Sequence, residues 1–288
     1  MWHIQDAVVT GRGHLLRQQP GQDRTFSLTR NGVTAAALSD GAGSAPLSHE
    51  GAEQAVRAAC EVLCGQFETF SGPATPFEMR RAVLEAVQAA IRRRAQELDT
   101  HPSALACTLL AVAVQGDRYL VFHVGDGVIG YQKEGVVRVV SRPQNGEFAN
   151  TTTFVTARDA LAKSRVLRGR QPGLEGFVLL SDGCEAALYH KGKKKLAPLV
   201  GRLFQRAELL SQEVSRQWLR AVIEGPVAHR TQDDCSLLLL SRQTESFGHW
   251  ARLPQREQAA VLGVATQNRN RRRRMIRRYR ALYGAAGT

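Results

Sequence analysis

Four apolar runs in this chain are punctuated by aspartate. They are Ala37-Leu38-Ser39-Asp40-Gly41, Val121-Phe122-His123-Val124-Gly125-Asp126-Gly127, Phe177-Val178-Leu179-Leu180-Ser181-Asp182-Gly183, and Asp233-Asp234-Cys235-Ser236 leading into Leu237 to Leu240. An apolar run bounded by Gly, Asp and Ser reads as a core strand meeting a turn. An ionised carboxylate at such a place must be paired or bound to metal, because burying a bare charge is costly. Four of them, on strands able to converge, suggest one shared hard cation site rather than four separate ion pairs.

The rest of the chain limits what can surround that site. Its 288 residues, 43% of them hydrophobic, suffice for one large domain with an appendage. No run of about eighteen apolar residues exists, so no membrane span is expected. Met1-Trp2-His3-Ile4 lacks a basic region before an apolar segment, so a cytoplasmic location is expected. Cys60, Cys64, Cys107, Cys184 and Cys235 form an odd set without a Cys-x-x-Cys pair, which reads as reduced thiols. Cys60 and Cys64 share a helical face and read as core packing. The net charge of +13 is uneven: eight arginines and no acid lie between Arg269 and Arg280, and the remainder carries only +5.

Strands are expected at Ile4–Thr10, Thr25–Thr29 and Thr34–Ser39, the last two joined by Asn31-Gly32, a strong hairpin signal. Ser48 is the expected N-cap of a helix toward Phe67, whose Ala52, Ala55, Val56, Ala59, Val62 and Leu63 fall at helical spacing. Ser71-Gly72-Pro73 breaks it, and a second helix runs from Pro76 to Leu98. Strands are expected at Leu105–Val114, Tyr119–Val124, Val128–Gln132 and Val136–Ser141. Arg142 to Arg170 has no regular pattern beyond a short strand at Thr152–Thr156, and so long a loop is often functional. A strand at Phe177–Ser181, helices at Gly183–Tyr189, Leu196–Phe204 and Leu209–Val222, and a strand at Cys235–Ser241 complete the domain, 1–242. The order of elements fits an α+β fold, two antiparallel sheets packed face to face with helices outside, an α-β-β-α sandwich of four layers. Residues 243–288 read as a linker and a basic, helical C-terminal extension.

Carboxylates with a backbone carbonyl and waters suit magnesium or manganese, whereas zinc favours His or Cys. Gly41 would let its carbonyl approach such an ion. Two ions bridged by a carboxylate and a water lower that water's pKa and clamp the oxygens of an in-line displacement at phosphorus. The chain carries no P-loop, zinc-protease helix or serine-hydrolase elbow.

Gln22-Asp23, Ser39-Asp40-Gly41-Ala42-Gly43, Ala106-Cys107-Thr108, Val124-Gly125-Asp126-Gly127, Ser181-Asp182-Gly183 and Asp233-Asp234-Cys235-Ser236 resemble, in this order, the metal-dependent protein phosphatase family, type 2C. The resemblance spans Ile4 to Arg242. Gly146-Glu147-Phe148-Ala149-Asn150 is similar to a stretch of the short bacterial members. The resemblance implies a Mn- or Mg-dependent Ser/Thr phosphoprotein phosphatase with two ions and room for a third, in which a metal-bridging water attacks the phosphomonoester. It implies Asp40 bridging both metals, the Gly41 carbonyl on one, and Asp182 and Asp233 completing the pair. Asp23 would act behind them, and Asp126 at the third position. Asp234 stands where the family usually has Asn, and with Thr108 and Ser236 it would support the others. The histidine that many eukaryotic members carry after Asp-Gly is Ala42 here. The phosphate-gripping arginine is out of its usual place, leaving Arg12, His14 and Arg17 as candidates. Arg142 to Arg170 lies where the family carries a flap. The implied partners are a phosphorylated Ser/Thr protein and a cognate Ser/Thr kinase.

The C-terminal arginines, among them Arg271, Arg272, Arg273, Arg274, Arg277 and Arg278, interleave with Met275, Ile276, Tyr279, Leu282 and Tyr283. An acidic partner, nucleic acid or an anionic surface would suit them. The rival functional reading is a catalytically weak or inactive phosphatase-fold module that recruits partners through this tail.

Overall fold

The computed structural model describes residues 2–143, 152–209 and 212–242. All of these lie in one compact unit, Met1–Thr244. The flap motif at 146–150 and the arginine-rich tail fall outside the described residues.

In chain order, β1 (Trp2–Val9), a short helix α1 (Arg12–Leu16), β2 (Arg24–Arg30) and β3 (Val33–Ser39) come first. Helices α2 (Ser48–Gly65), α3 (Phe67–Ser71) and α4 (Pro76–Glu97) follow, then β4 (Leu109–Gln115), β5 (Arg118–Val124), β6 (Val128–Lys133) and β7 (Val136–Ser141). Next come α5 (Ala160–Lys163), β8 (Arg165–Arg170), β9 (Leu174–Leu180) and α6 (Asp182–Leu188). A small hairpin of β10 (Tyr189–His190) and β11 (Lys195–Leu196), helices α7 (Pro198–Leu209) and α8 (Gln212–Val222), and β12 (Cys235–Arg242) end the unit.

Two five-stranded antiparallel sheets form, in the orders β1-β12-β9-β6-β7 and β2-β3-β4-β5-β8. The period-2 alternation of a strand explains why their central members read as unbroken apolar runs. In β3 and β4, Ala35, Ala37, Leu109, Ala111 and Ala113 pack toward α2 and α4. The alternate residues, Ala36, Leu38, Leu110, Val112 and Val114, meet Ile129, Phe177, Leu179, Leu238 and Leu240 of the opposite sheet. On that sheet Val178, Leu180, Leu237 and Leu239 turn outward to Leu188, Val200, Leu203 and Leu219. Both faces of each sheet are therefore covered, and four layers result. Among the described residues no helix is long and apolar enough to cross a membrane.

Several expectations need correction. The N-cap of α2 is Leu47, not Ser48, which is the first helical residue and whose buried hydroxyl has no partner. Thr152–Thr156 is not a strand. The supposedly irregular stretch before Arg170 holds β8, paired along β5 from His123–Arg165 to Arg118–Arg170. Leu105 belongs to a short 3-10 turn ahead of β4. His14, a candidate for gripping phosphate, sits in α1 and is buried. Asn31 and Gly32 both take positive φ, 53° and 74°, as a two-residue hairpin turn requires. All five cysteines are free and buried, with Cys60 and Cys64 in the core beneath α2, and burial pushes the Cys107 thiol up to about 12.

Candidate active site

Strand register decides which turns meet. Val9 pairs with Cys235 and Leu180 with Leu237, so the end of β1, the start of β12 and the end of β9 share one edge of their sheet. In the other sheet Arg24 pairs with Ser39 and Leu109 with Val124, so the starts of β2 and β4 lie beside the ends of β3 and β5. Asp23, Asp40, Asp126 and Asp233 sit in these turns, and Asp182 opens α6 directly after β9.

Their electrostatics show that they face one another. Asp23 is 1% exposed, and neither of its carboxylate oxygens has a hydrogen-bond partner of good geometry. Burial pushes its pKa up to about 7; the nearby Ser236 hydroxyl favours the charged form, while Asp234 and Asp182 oppose it. Asp40 and Asp182 keep an edge toward solvent, yet protein surrounds both closely enough that burial leads their shifts. Asp40 is raised well above the usual carboxylate range by burial and then by Asp23 and Asp182. Asp182 rises to about 6: burial dominates, Asp126 and Asp233 add to it, and a protonated Asp40 stabilises its charge. Carboxylates that hold protons this far up form a cluster of like charge, and among the described residues none of these three is in an ion pair.

Backbone bonds fix the turns. The Asp40 amide donates to Thr108 Oγ1 (3.0 Å), the Thr108 amide to the Asp40 carbonyl (2.8 Å), and the Ser39 hydroxyl to the Thr108 carbonyl (2.6 Å). On the other sheet the Ser236 amide donates to Ser181 Oγ (2.9 Å) and the Ser181 amide to the Ser236 carbonyl (3.0 Å). Gly41 is needed for space rather than for a special φ: a Cβ there would stand 2.7 Å from Ser48 Oγ. At Gly183 it would stand 1.9 Å from the Asp234 carbonyl oxygen. Thr152 donates to Asp126 Oδ2.

Asp234 does different work from Asp233. Its buried carboxylate accepts from the Gly11 amide (2.6 Å), the Gln22 amide (2.5 Å) and His14 Nδ1 (2.9 Å), tying α1 and the turn before β2 to β12. Asp233 is exposed, and its Oδ1 accepts from the Asp234 amide (2.9 Å). Arg12 donates to the carbonyls of Thr231 (3.1 Å) and His229 (3.5 Å), and Arg17 to Gln19 Oε1 (3.0 Å). His14 and Arg12 thus tie the rim to the segment before β12, whereas among the described residues Arg17 bonds only within its own turn. Ala42 is buried and gives its amide to the Ala106 carbonyl (2.9 Å).

Sequence reading missed Lys191. It lies in the turn between β10 and β11, its Nζ is 2.7 Å from Glu185 Oε2, and Glu185, Asp182 and Asp126 all raise its pKa. The available signal was the run Lys191-Gly192-Lys193-Lys194-Lys195 a few residues beyond Asp182. His123 was passed over as part of an apolar run. It is fully buried between the sheets, with Nδ1 2.7 Å from Ser141 Oγ and 3.0 Å from Arg165 Nη2, and Nε2 3.0 Å from the Gly125 carbonyl. Burial, then the adjacent Arg165, hold its pKa well below the usual range, so the ring is neutral and Nε2 carries the proton to Gly125.

Among the described residues no three His, Cys, Asp or Glu side chains are arranged to hold an ion. The donor chemistry nevertheless fits a hard divalent cation. The clustered side chains are all carboxylates, and both Asp23 oxygens and Asp182 Oδ1 are buried without partners.

A family model, protein phosphatase 2C, matches residues 10–224. The curated serine/threonine-protein phosphatase 3 of Escherichia coli (strain K12) is 23% identical over 257 residues, covering 83% of this chain and 97% of its own length. Among solved structures, the S. agalactiae serine/threonine phosphatase superposes with a TM-score of 0.58 at 18% identity, over 84% of this chain and all of its own. PppA of Pseudomonas aeruginosa, described as a key regulatory component of T6SS, does so at 0.58 and 16% identity, over 83% and 97%. At these identities the two superpositions speak for the fold alone.

Proposed function

The chain belongs to the protein phosphatase 2C family and is a protein serine/threonine phosphatase, and from that premise we propose that it cleaves phosphoserine and phosphothreonine monoesters at the carboxylate end of the sandwich with two manganese or magnesium ions. The observation that supports this is the cluster of Asp23, Asp40 and Asp182, whose pKa values are raised chiefly by burial and of which, among the described residues, none is in an ion pair. In this reading Asp40, the Gly41 carbonyl, Asp182 and Asp233 would hold the pair, and Asp126 a third ion. When bound, such ions supply Lewis-acid polarisation of the phosphoryl oxygens and lower the pKa of the attacking water.

The chain's own groups do the rest. Asp23, buried beside Ser236 and Asp40, would orient the groups around the nucleophile. Thr108 and Ser181 fix the turns that carry Asp40 and Asp182. Lys191, steadied by Glu185, offers the arriving phosphate an ammonium in place of the family's displaced arginine. A cytoplasmic location, a cognate Ser/Thr kinase, and a separate basic extension at 243–288 that docks on acidic partners belong to the same proposal. Among the described residues nothing favours an inactive binding module.

Hydrolysis of p-nitrophenyl phosphate with manganese tests the site, with manganese affinity measured by calorimetry beside it. Asp40→Asn and Asp182→Asn should each cost more than about 100-fold in turnover and weaken manganese binding, and Asp23→Asn about 10–100-fold. Full activity in Asp40→Asn would refute the assignment.

A further inference from the structure

Where β7 and β8 run past the first turn of α4, a cavity of about 410 Å³ opens between them. Val140 of β7, Val166 and Leu167 of β8 and Pro76 of α4 supply apolar wall, and two guanidiniums, Arg80 and Arg165, line the same space. Among the described residues no carboxylate lies within ion-pair distance of either. Arg80 reaches the Ser164 carbonyl at 3.4 Å and the Phe77 ring at 5.9 Å. Arg165 gives Nη2 to His123 Nδ1 and to the Arg142 carbonyl. Among the described residues the Nε atoms of both are buried without a partner.

Two cations around one cavity repel, and a buried charged donor left unpaired is costly. Arg165 registers that cost as a pKa lowered by burial. An anion in the cavity would remove both penalties at once. Guanidinium forks match the oxygens of a tetrahedral phosphate, and the apolar wall suits what that phosphate is attached to. We propose that the Arg80–Arg165 cavity binds a phosphate dianion, as a site apart from the carboxylate cluster. None of its lining residues belongs to that cluster. Arg165 does reach toward it, through neutral His123 to the carbonyl of Gly125, the residue before Asp126.

The test uses the full chain stripped of metal by a chelator, so that the carboxylate end carries no cation to attract an anion. Inorganic phosphate is titrated in one arm and a phosphothreonine peptide in the other, with binding read by calorimetry. Saturable binding to the wild type, weakened about tenfold (about 1.4 kcal/mol) in Arg80→Gln and in Arg165→Gln, upholds the site. A tighter peptide then identifies a phosphorylated side chain as the occupant, and equal affinities identify free phosphate. Arg80→Gln decides alone should Arg165→Gln fail to fold, because among the described residues Arg80 makes no hydrogen bond shorter than its 3.4 Å contact. No saturable binding by the wild type, or affinities unchanged in the variants, overturns the proposal. The carboxylate-site reading has its own failure mode, manganese-dependent turnover that survives Asp40→Asn, so the two stand or fall separately.

Discussion

Two adjacent aspartates, Asp233 and Asp234, show how much one peptide unit changes. Asp234 points inward and gathers two amides and an imidazole, while Asp233 stays at the surface. Asp234→Ala leaves the Gly11 and Gln22 amides unpaired in a buried place and releases His14. We expect about 3–5 kcal/mol lost from urea unfolding, and less for Asp234→Asn, whose amide oxygen keeps one acceptor. A loss below about 1 kcal/mol would mean that α1 is not held by this carboxylate. From sequence the pair could only be ranked by its resemblance to a family that usually has Asn second. The three donors that meet Asp234 lie more than 200 positions away, and no local pattern announces them.

At the scale of elements, legibility followed periodicity and length. The central strands were readable because both their faces are covered, which leaves unbroken apolar runs. Edge strand β8 was not, since Arg165, Arg168 and Arg170 interrupt it and its pairing with β5 arises from tertiary contact. Five-residue α1 has no periodic signal to offer. The start of α4 at Pro76 was legible, although the capping box before it was not read: Thr75 accepts from the Glu78 amide (3.2 Å) and Glu78 Oε2 from the Thr75 amide (2.6 Å), with Pro76 just inside. Thr75→Ala should cost about 1 kcal/mol in thermal or urea unfolding, and Thr75→Ser almost nothing. An unchanged Thr75→Ala would show that packing of α4 against α2 dominates its N-terminus.

For the molecule as a whole, the carboxylate cluster makes stability depend on pH and on divalent cations. Asp23 holds its proton up to about 7 in the folded chain and loses it near 4 when unfolded. The folded state therefore binds the extra proton between these values. Its contribution to stability is full below the unfolded pKa and declines as pH rises through the folded one. The metal-free protein should lose stability from pH 5 to pH 8, by an amount on the order of a few kcal/mol, and Asp23→Asn should flatten the curve. Manganese should raise the melting temperature most at pH 8, where the carboxylates are charged, following ligand linkage. An equal rise in Asp40→Asn would argue that manganese binds elsewhere.

The sequence by itself determined the layers and the chemical character of the site, because strand alternation, turn glycines and aspartates at strand ends are local facts. Tertiary structure alone decided which carboxylate anchors the rim, that Lys191 stands by the cluster, and that Arg80 and Arg165 share a cavity. Those outcomes depend on the register of antiparallel strands, which brings together residues that are strangers in sequence, and on burial, which gives a side chain its charge state only once its neighbours are in place.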